Sequence, residues 1–322
     1  MWFYLHCFSW CGFKRRRAGL IKRQAGTSRS AATMNYELFF TFPRRVAIAE
    51  IQSFFSNRQN YLVGGAVQYR NVNTGVNFRF VISSERLSRC VSWVGFTMSY
   101  LRPHIFALEA EPEVREFVER FEAQVRDPQA QGIGVSLYSR SRFLSSWNMG
   151  NETAYESLLH ADLRAQKFYA IPQGALERAW RWNLTAPDIE GLVEDEIAVP
   201  RILLIAVNGL LRTAMVWPDG IPTLIPEVDV VLGVRDELAP LIADGKKRPD
   251  RCLIKQSQLD DLLPPLEDMG FSLRVRSVGC GEPQARMQKF LRSLASSSDS
   301  IVRVALDNVV SHEMVCRILE GL

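Results

Sequence analysis

The stretch RILLIAVNGLLRTAMVW (201–217) joins two apolar runs through Asn208-Gly209. Asn-Gly suits a two-residue turn with positive φ at both central positions, and the twist of that turn matches paired strands. The stretch therefore predicts an antiparallel hairpin, and the chain around it reads as mixed sheet and helix. Downstream, Pro218-Asp219-Gly220 marks a turn and IPTLIPEVDVVLGV (221–234) is extended, with Pro222 and Pro226 pointing to an edge position or to breaks. RCLIKQSQLDDLLPPLEDMG (251–270) is ambiguous between strand and helix. SLRVRSV (272–278) alternates as a strand does. A helix over PQARMQKFLRSLA (283–295), a short strand IVRVAL (301–306) and an amphipathic C-terminal stretch follow.

Upstream, SRFLSSWNMGNETAYESLLHADL (141–163) predicts two short helices, or one interrupted near Gly150 with Asn151 capping its second part. The segment 34–130 reads β-α-β-β-β-α. Its strands are YELFFTF (36–42), a hairpin in AVQYRNVNTGVNFRFVIS (66–83) and SWVGFTMSYL (92–101). The first helix lies in RVAIAEIQSFFSNR (45–58). The second, EPEVREFVERFEAQV (111–125), carries Val114, Phe117, Val118, Phe121 and Val125 on one stripe and places Glu111 and Glu113 at its start, where the helix dipole favours acids. The fold class is α+β, antiparallel sheets with packed helices, in two domains: 34–130, and 141–322 with a helical start and a strand-rich remainder. DPQAQGIG (127–134) is the expected linker, and a protease is expected to cut first between about residues 127 and 140.

Residues 1–33 are of a different kind. MWFYLHCFSWCGF is followed by KRRR, which inverts the order of a secretory signal, and it is too short to span a bilayer. The segment reads either as a peripheral anchor on anionic lipid or as a disordered, non-native extension before a start at Met34. It holds seven Lys and Arg and no acid. The remaining chain therefore carries 32 basic against 35 acidic residues, so the net +4 of the whole chain hides a mildly acidic body. Such a body offers no global electrostatic case for nucleic acid. The four cysteines beyond the tail, Cys90, Cys252, Cys280 and Cys316, form no CxxC and are read as not clustering with His104, His160 or His312. That argues against a zinc knuckle and for reduced thiols in cytoplasm. No phosphate loop, dinucleotide fingerprint or nucleophile elbow occurs, so no cofactor is implied.

Three groups of residues invite a functional reading. Asp219, Glu227 and Asp229 partly resemble the acids of a Mg²⁺-dependent nuclease, though Asp229 stands where that pattern has lysine. A turn aspartate and two surface acids give the same letters. Glu194, Asp195 and Glu196 read as a solvated loop or a charged docking patch. Trp147, and Trp180 and Trp182 flanking Arg181, either fill a domain seam or anchor an external surface. On a strand Trp180 and Trp182 would share one face. His104 lies near Glu109 and Glu111 in sequence, but no reactive group is nominated beside it.

The run YELFF, YRNVNTGVNFRF, RPHIFALEAEPEV, SSWNMGNE, RAWRWN and VWPDGIPTLIPEVD, covering most of 35–240, resembles an uncharacterised multi-copy family of bacterial proteins, some of them beside secreted toxins. The resemblance implies an immunity role and transfers no site residue. The expectation is a cytoplasmic protein-binding module without catalytic activity, neutralising a toxin, with no nucleic-acid partner and no stable membrane insertion. The alternative is a metal-dependent hydrolase or nuclease using Asp219, Glu227 and Asp229.

Overall fold

The computed structural model describes residues 35–84, 89–129, 138–160, 167–240, 248–268 and 274–320. The N-terminal segment 1–33, residues 130–134 of the expected linker and residues 161–163 of the expected helical region lie outside the described residues.

The first part is a six-stranded antiparallel sheet ordered β2-β3-β4-β5-β1-β6. Its strands are β1 (Asn35–Thr41), β2 (Tyr61–Val63), β3 (Val67–Arg70), β4 (Asn77–Ser84), β5 (Val91–Ser99) and β6 (Gln124–Arg126). Period-two alternation decides which face is inside: Tyr36, Leu38 and Phe40 of β1 are all buried. Two helices, α1 (Ile48–Ser56) and α2 (Ile105–Phe121), supply aromatic rings to that core. Phe117 of α2 stacks on Phe55 of α1 at 5.7 Å and meets Phe40 and Phe80 at 5.2 Å each.

Three details differ from the sequence expectation. Strands β2 and β6 are additional, because three residues carry too short a pattern to show an alternation. Helix α2 begins six residues earlier, at Ile105, with Pro112 in its interior. An interior proline costs about 3 kcal/mol, and the burial of Ile105, Phe106 and Ala110 offsets it. Glu111 and Glu113 therefore sit within the helix and answer to side chains instead of the dipole. Arg115 and Arg140 approach Glu111, while Arg58 and Tyr61 donate to Glu113 at 2.6 and 2.8 Å. Val125 leaves the helix for β6, after Glu122 closes α2 in the left-handed region.

Helix α3 (Arg140–His160) is continuous through Gly150. Asn151 does not cap it. Its side chain accepts from Leu101 N at 2.7 Å and donates to Arg102 O at 2.8 Å, fastening the β5–α2 turn. Next come β7 (Tyr169–Ile171) and α4 (Gln173–Glu190). The predicted hairpin is β8 (Leu203–Val207) and β9 (Leu210–Pro218), with φ of 49° at Asn208 and 87° at Gly209. It belongs to a five-stranded sheet ordered β12-β11-β9-β8-β15, which includes β11 (Val230–Arg235), β12 (Asp250–Lys255) and β15 (Ile301–Arg303). All its pairs are antiparallel except β9 with β11.

The segment 221–234 breaks after Pro226, so β10 (Thr223–Pro226) is an edge of a separate antiparallel sheet with β14 (Arg274–Val278) and β13 (Glu267–Asp268). The ambiguous stretch is both things in turn: β12, then the short helix α5 (Gln256–Asp260). Helix α6 (Glu282–Ser293), β16 (Val309–Ser311), which pairs in parallel with β7, and α7 (His312–Glu320) complete the described chain.

Two apolar cores result among the described residues. The first lies on the six-stranded sheet and also takes in Phe143 and Trp147 of α3, Leu176 of α4, Leu204 of β8 and Val309 of β16. The second gathers Trp182, Trp217, Val231, Ile254, Leu259, Met287 and Leu291. Helix α4 gives Leu176 to the first core and Ala179, Trp182, Ala186 and Ile189 to the second.

Candidate functional site

The chain from Trp182 to Pro200 contains Asp188, Glu190, Glu194, Asp195 and Glu196, and no Lys, Arg or His. It is the end of α4 and the arc that follows. The arc is held at its base. Trp182 donates from Nε1 to Pro200 O at 2.7 Å. Asn183 acts as a piece of backbone, accepting from Ile202 N at 2.7 Å and donating to Ile202 O at 2.8 Å. Arg201 donates to Glu190 at 2.9 Å and to Asn73 at 2.9 Å. Ala198 pairs with the β10 region through Pro222 O and Leu224 N.

The tip is then presented outward. Glu194, Asp195 and Glu196 are exposed, with Ile197 N returning to Glu194 O at 2.9 Å in a turn. Leu192 beside them is 80% exposed and Leu184 on α4 is 38% exposed. The result is a fixed acidic ridge with two apolar side chains on it. Glu190 has its counter-ion in Arg201, while the described residues give no ion pair to Asp188, Glu194, Asp195 or Glu196.

Trp182 fastens the foot of this ridge, and Trp147 and Trp180 are the other two tryptophans the sequence singles out. They lie on helices, so Trp180 and Trp182 point to different sides of α4 and do not share a face. Trp147 and Trp182 are wholly closed to solvent, one in each core. Their rings fill space and present nothing to a partner. Trp180 is partly buried against the first core, and its Nε1 donates to Glu109 Oε2 at 2.7 Å.

Glu109 is a buried hub. Its other oxygen accepts from Tyr69 Oη at 2.8 Å, Asn71 Nδ2 at 2.9 Å and Thr74 Oγ1 at 2.9 Å. Burial raises its pKa, and the four donors only partly counter that. Sequence reading considered this residue only as a neighbour of His104 and did not show it as a hub. Its partners come from β3, the following turn and α4, separated by 35 to 71 positions.

His104 finds its carboxylate on α4, not on α2. Its Nε2 lies 3.0 Å from Glu177 Oε1, while Nδ1 is buried without a partner. Burial lowers the His104 pKa, more than Glu177 raises it. Burial pushes Glu177 upward, yet Gln173, His104 and Arg181 outweigh it and hold the carboxyl below its usual range. Glu109 and Glu111 are engaged elsewhere. The pair braces α2 against α4, and no nucleophile accompanies it in the contacts it makes.

Asp219, Glu227 and Asp229 serve three separate purposes. Asp219, at φ 43°, accepts from the backbone N–H groups of Asp236, Glu237 and Leu238. Asp229 accepts from Thr213 N at 2.7 Å and Thr213 Oγ1 at 2.9 Å. Glu227 faces Arg274 at 4.0 Å. Among the described residues no three or more His, Cys, Asp or Glu side chains converge as a metal centre.

One pair of chemically capable residues was missed. His312 and Cys316, read as not clustering, stand one turn apart on α7 with Nε2 and Sγ 3.6 Å from each other. The i, i+4 spacing in H312-E-M-V-C316 was the available signal. The described cysteines form no disulfide. No described helix is long and apolar enough to cross a membrane. No protein-family model, curated protein or solved structure matches the chain.

Proposed function

We propose that this chain is a protein-binding module that presents the acidic ridge of residues 184–196 to a basic partner, in the manner of a cytoplasmic immunity protein that neutralises a toxin. The observation that carries the reading is the ridge itself: five acids without a base between Trp182 and Pro200, a foot fastened by Trp182, Asn183 and Arg201, and Leu192 exposed at the crest. A charged rim steers encounter and selects partners, while an apolar crest supplies area to desolvate. A loop already fixed in place loses little conformational freedom on binding.

The test neutralises charge without changing shape, using Glu194→Gln, Asp195→Asn and Glu196→Gln together. Wild-type protein is expected to capture a basic partner saturably, with affinity that weakens as salt rises. The triple variant, with an unchanged unfolding midpoint, should bind at least about tenfold more weakly. Equal affinity of the two proteins for the captured partner would remove the ridge from the interface.

A further inference from the structure

The exposed flank of α7 holds two metal-ligating groups in a fixed relation. Met314, Val315 and Ile318 bury the inner side of this helix. Glu313 accepts the backbone N–H of Gln173 on both its oxygens, at 3.1 and 2.9 Å, and Arg317 approaches Glu152 at 3.3 Å. The helix is thereby anchored on α3 and at the start of α4. His312 is exposed and Cys316 half-buried on the remaining flank, with Nε2 and Sγ 3.6 Å apart.

That separation has a chemical meaning. Zinc binds imidazole nitrogen at about 2.0–2.1 Å and thiolate sulfur at about 2.3 Å in tetrahedral geometry, which sets the nitrogen–sulfur edge at about 3.6 Å. The observed separation equals that edge, so the two atoms already stand at the spacing such a cation requires. Imidazole and thiolate together favour a borderline-soft divalent ion over magnesium or calcium.

We infer that His312 and Cys316 form a two-ligand chelate for a divalent cation of the zinc class. On binding, the Cys316 thiol releases its proton to solvent and the sulfur donates an electron pair to the cation. The His312 Nε2 lone pair does the same, and water completes the coordination. Nothing is oxidised or reduced. This chelate is separate from the acidic ridge and stands or falls independently of it.

The test uses the reduced full chain and Zn²⁺ alone. Alkylation of each cysteine by iodoacetamide is followed by peptide mass spectrometry, so the other five cysteines act as internal controls. Zn²⁺ is expected to slow alkylation of Cys316 in wild type. In His312→Ala and in His312→Gln the Zn²⁺ needed for the same protection should rise about tenfold or more. The glutamine variant keeps a side chain of similar reach at the start of α7, and thermal unfolding without metal checks both folds. Absence of protection in wild type, or equal protection in both variants, would overturn the chelate.

Discussion

Glu109 shows how much one residue can carry. Four donors from three parts of the chain converge on its two oxygens. Removing the carboxylate leaves all four without an acceptor in a buried place, at about 1–3 kcal/mol for each that finds no substitute. Glu109→Ala should therefore lower stability by about 3–5 kcal/mol, measured by denaturant unfolding. Glu109→Gln should cost less but remain destabilising, since its amide NH₂ must face a donor. Equal stability of Glu109→Ala and wild type would contradict the hub. His104 gives a pH dependence with a definite sign. Its folded pKa is below the ordinary value of 6.5, so the unfolded chain takes the proton first as pH falls. The stability it contributes is full above 6.5 and is lost below. Glu177, held below 4.5, acts in the same direction at lower pH, while Glu109, raised by burial, opposes both. Between about pH 7.5 and about 5.5 the unfolding midpoint of His104→Gln should fall less than that of wild type; parallel curves would mean that His104 does not titrate differently on folding. Neither residue was legible as a hub in sequence, because hydrogen bonds across 35 to 73 positions leave no local pattern.

Elements whose own sequence decides them were legible. Asn208-Gly209 specified its hairpin because the turn needs the two positive φ values those residues tolerate best. Helix α3 shows the opposite case. Glycine suggested an interruption, yet the helix is continuous, and the close approach of Tyr100 accounts for the glycine at position 150. A Cβ added there would collide with the Tyr100 hydroxyl and ring. Gly→Ala inside a helix ordinarily stabilises by about 1 kcal/mol. Gly150→Ala is expected to destabilise instead, by about 1–3 kcal/mol through overpacking, as thermal unfolding would show. A rise in the midpoint would mean that Tyr100 yields freely. The tryptophans of α4 misled for a related reason. Their spacing carries opposite meanings on a strand and on a helix, and RAWRWN alone does not say which it is.

At the scale of the whole molecule, α+β composition and antiparallel pairing were readable, but the allocation of residues to cores was not. Phe143 and Trp147 follow the expected linker in sequence and pack with the strands that precede it. Asp127, where that linker was expected to begin, is buried and accepts from Ser146 at 2.7 Å and Tyr36 at 3.4 Å. A protease cut between Pro128 and Ser139 should thus leave two fragments that co-elute on native gel filtration and separate only in denaturant. Fragments that part without denaturant would show that the first core does not depend on α3. The acidic ridge also belongs to this scale, since α4 brings its Trp182 end from one core and its Leu176 end from the other. Whether a partner binds on this ridge is read most directly by hydrogen exchange of the chain with and without its captured partner. New protection is expected to concentrate in residues 184–199, at the end of α4 and along the arc to Pro200. Protection confined to other surfaces, with the exchange of 184–199 unchanged, would contradict a binding role for the ridge.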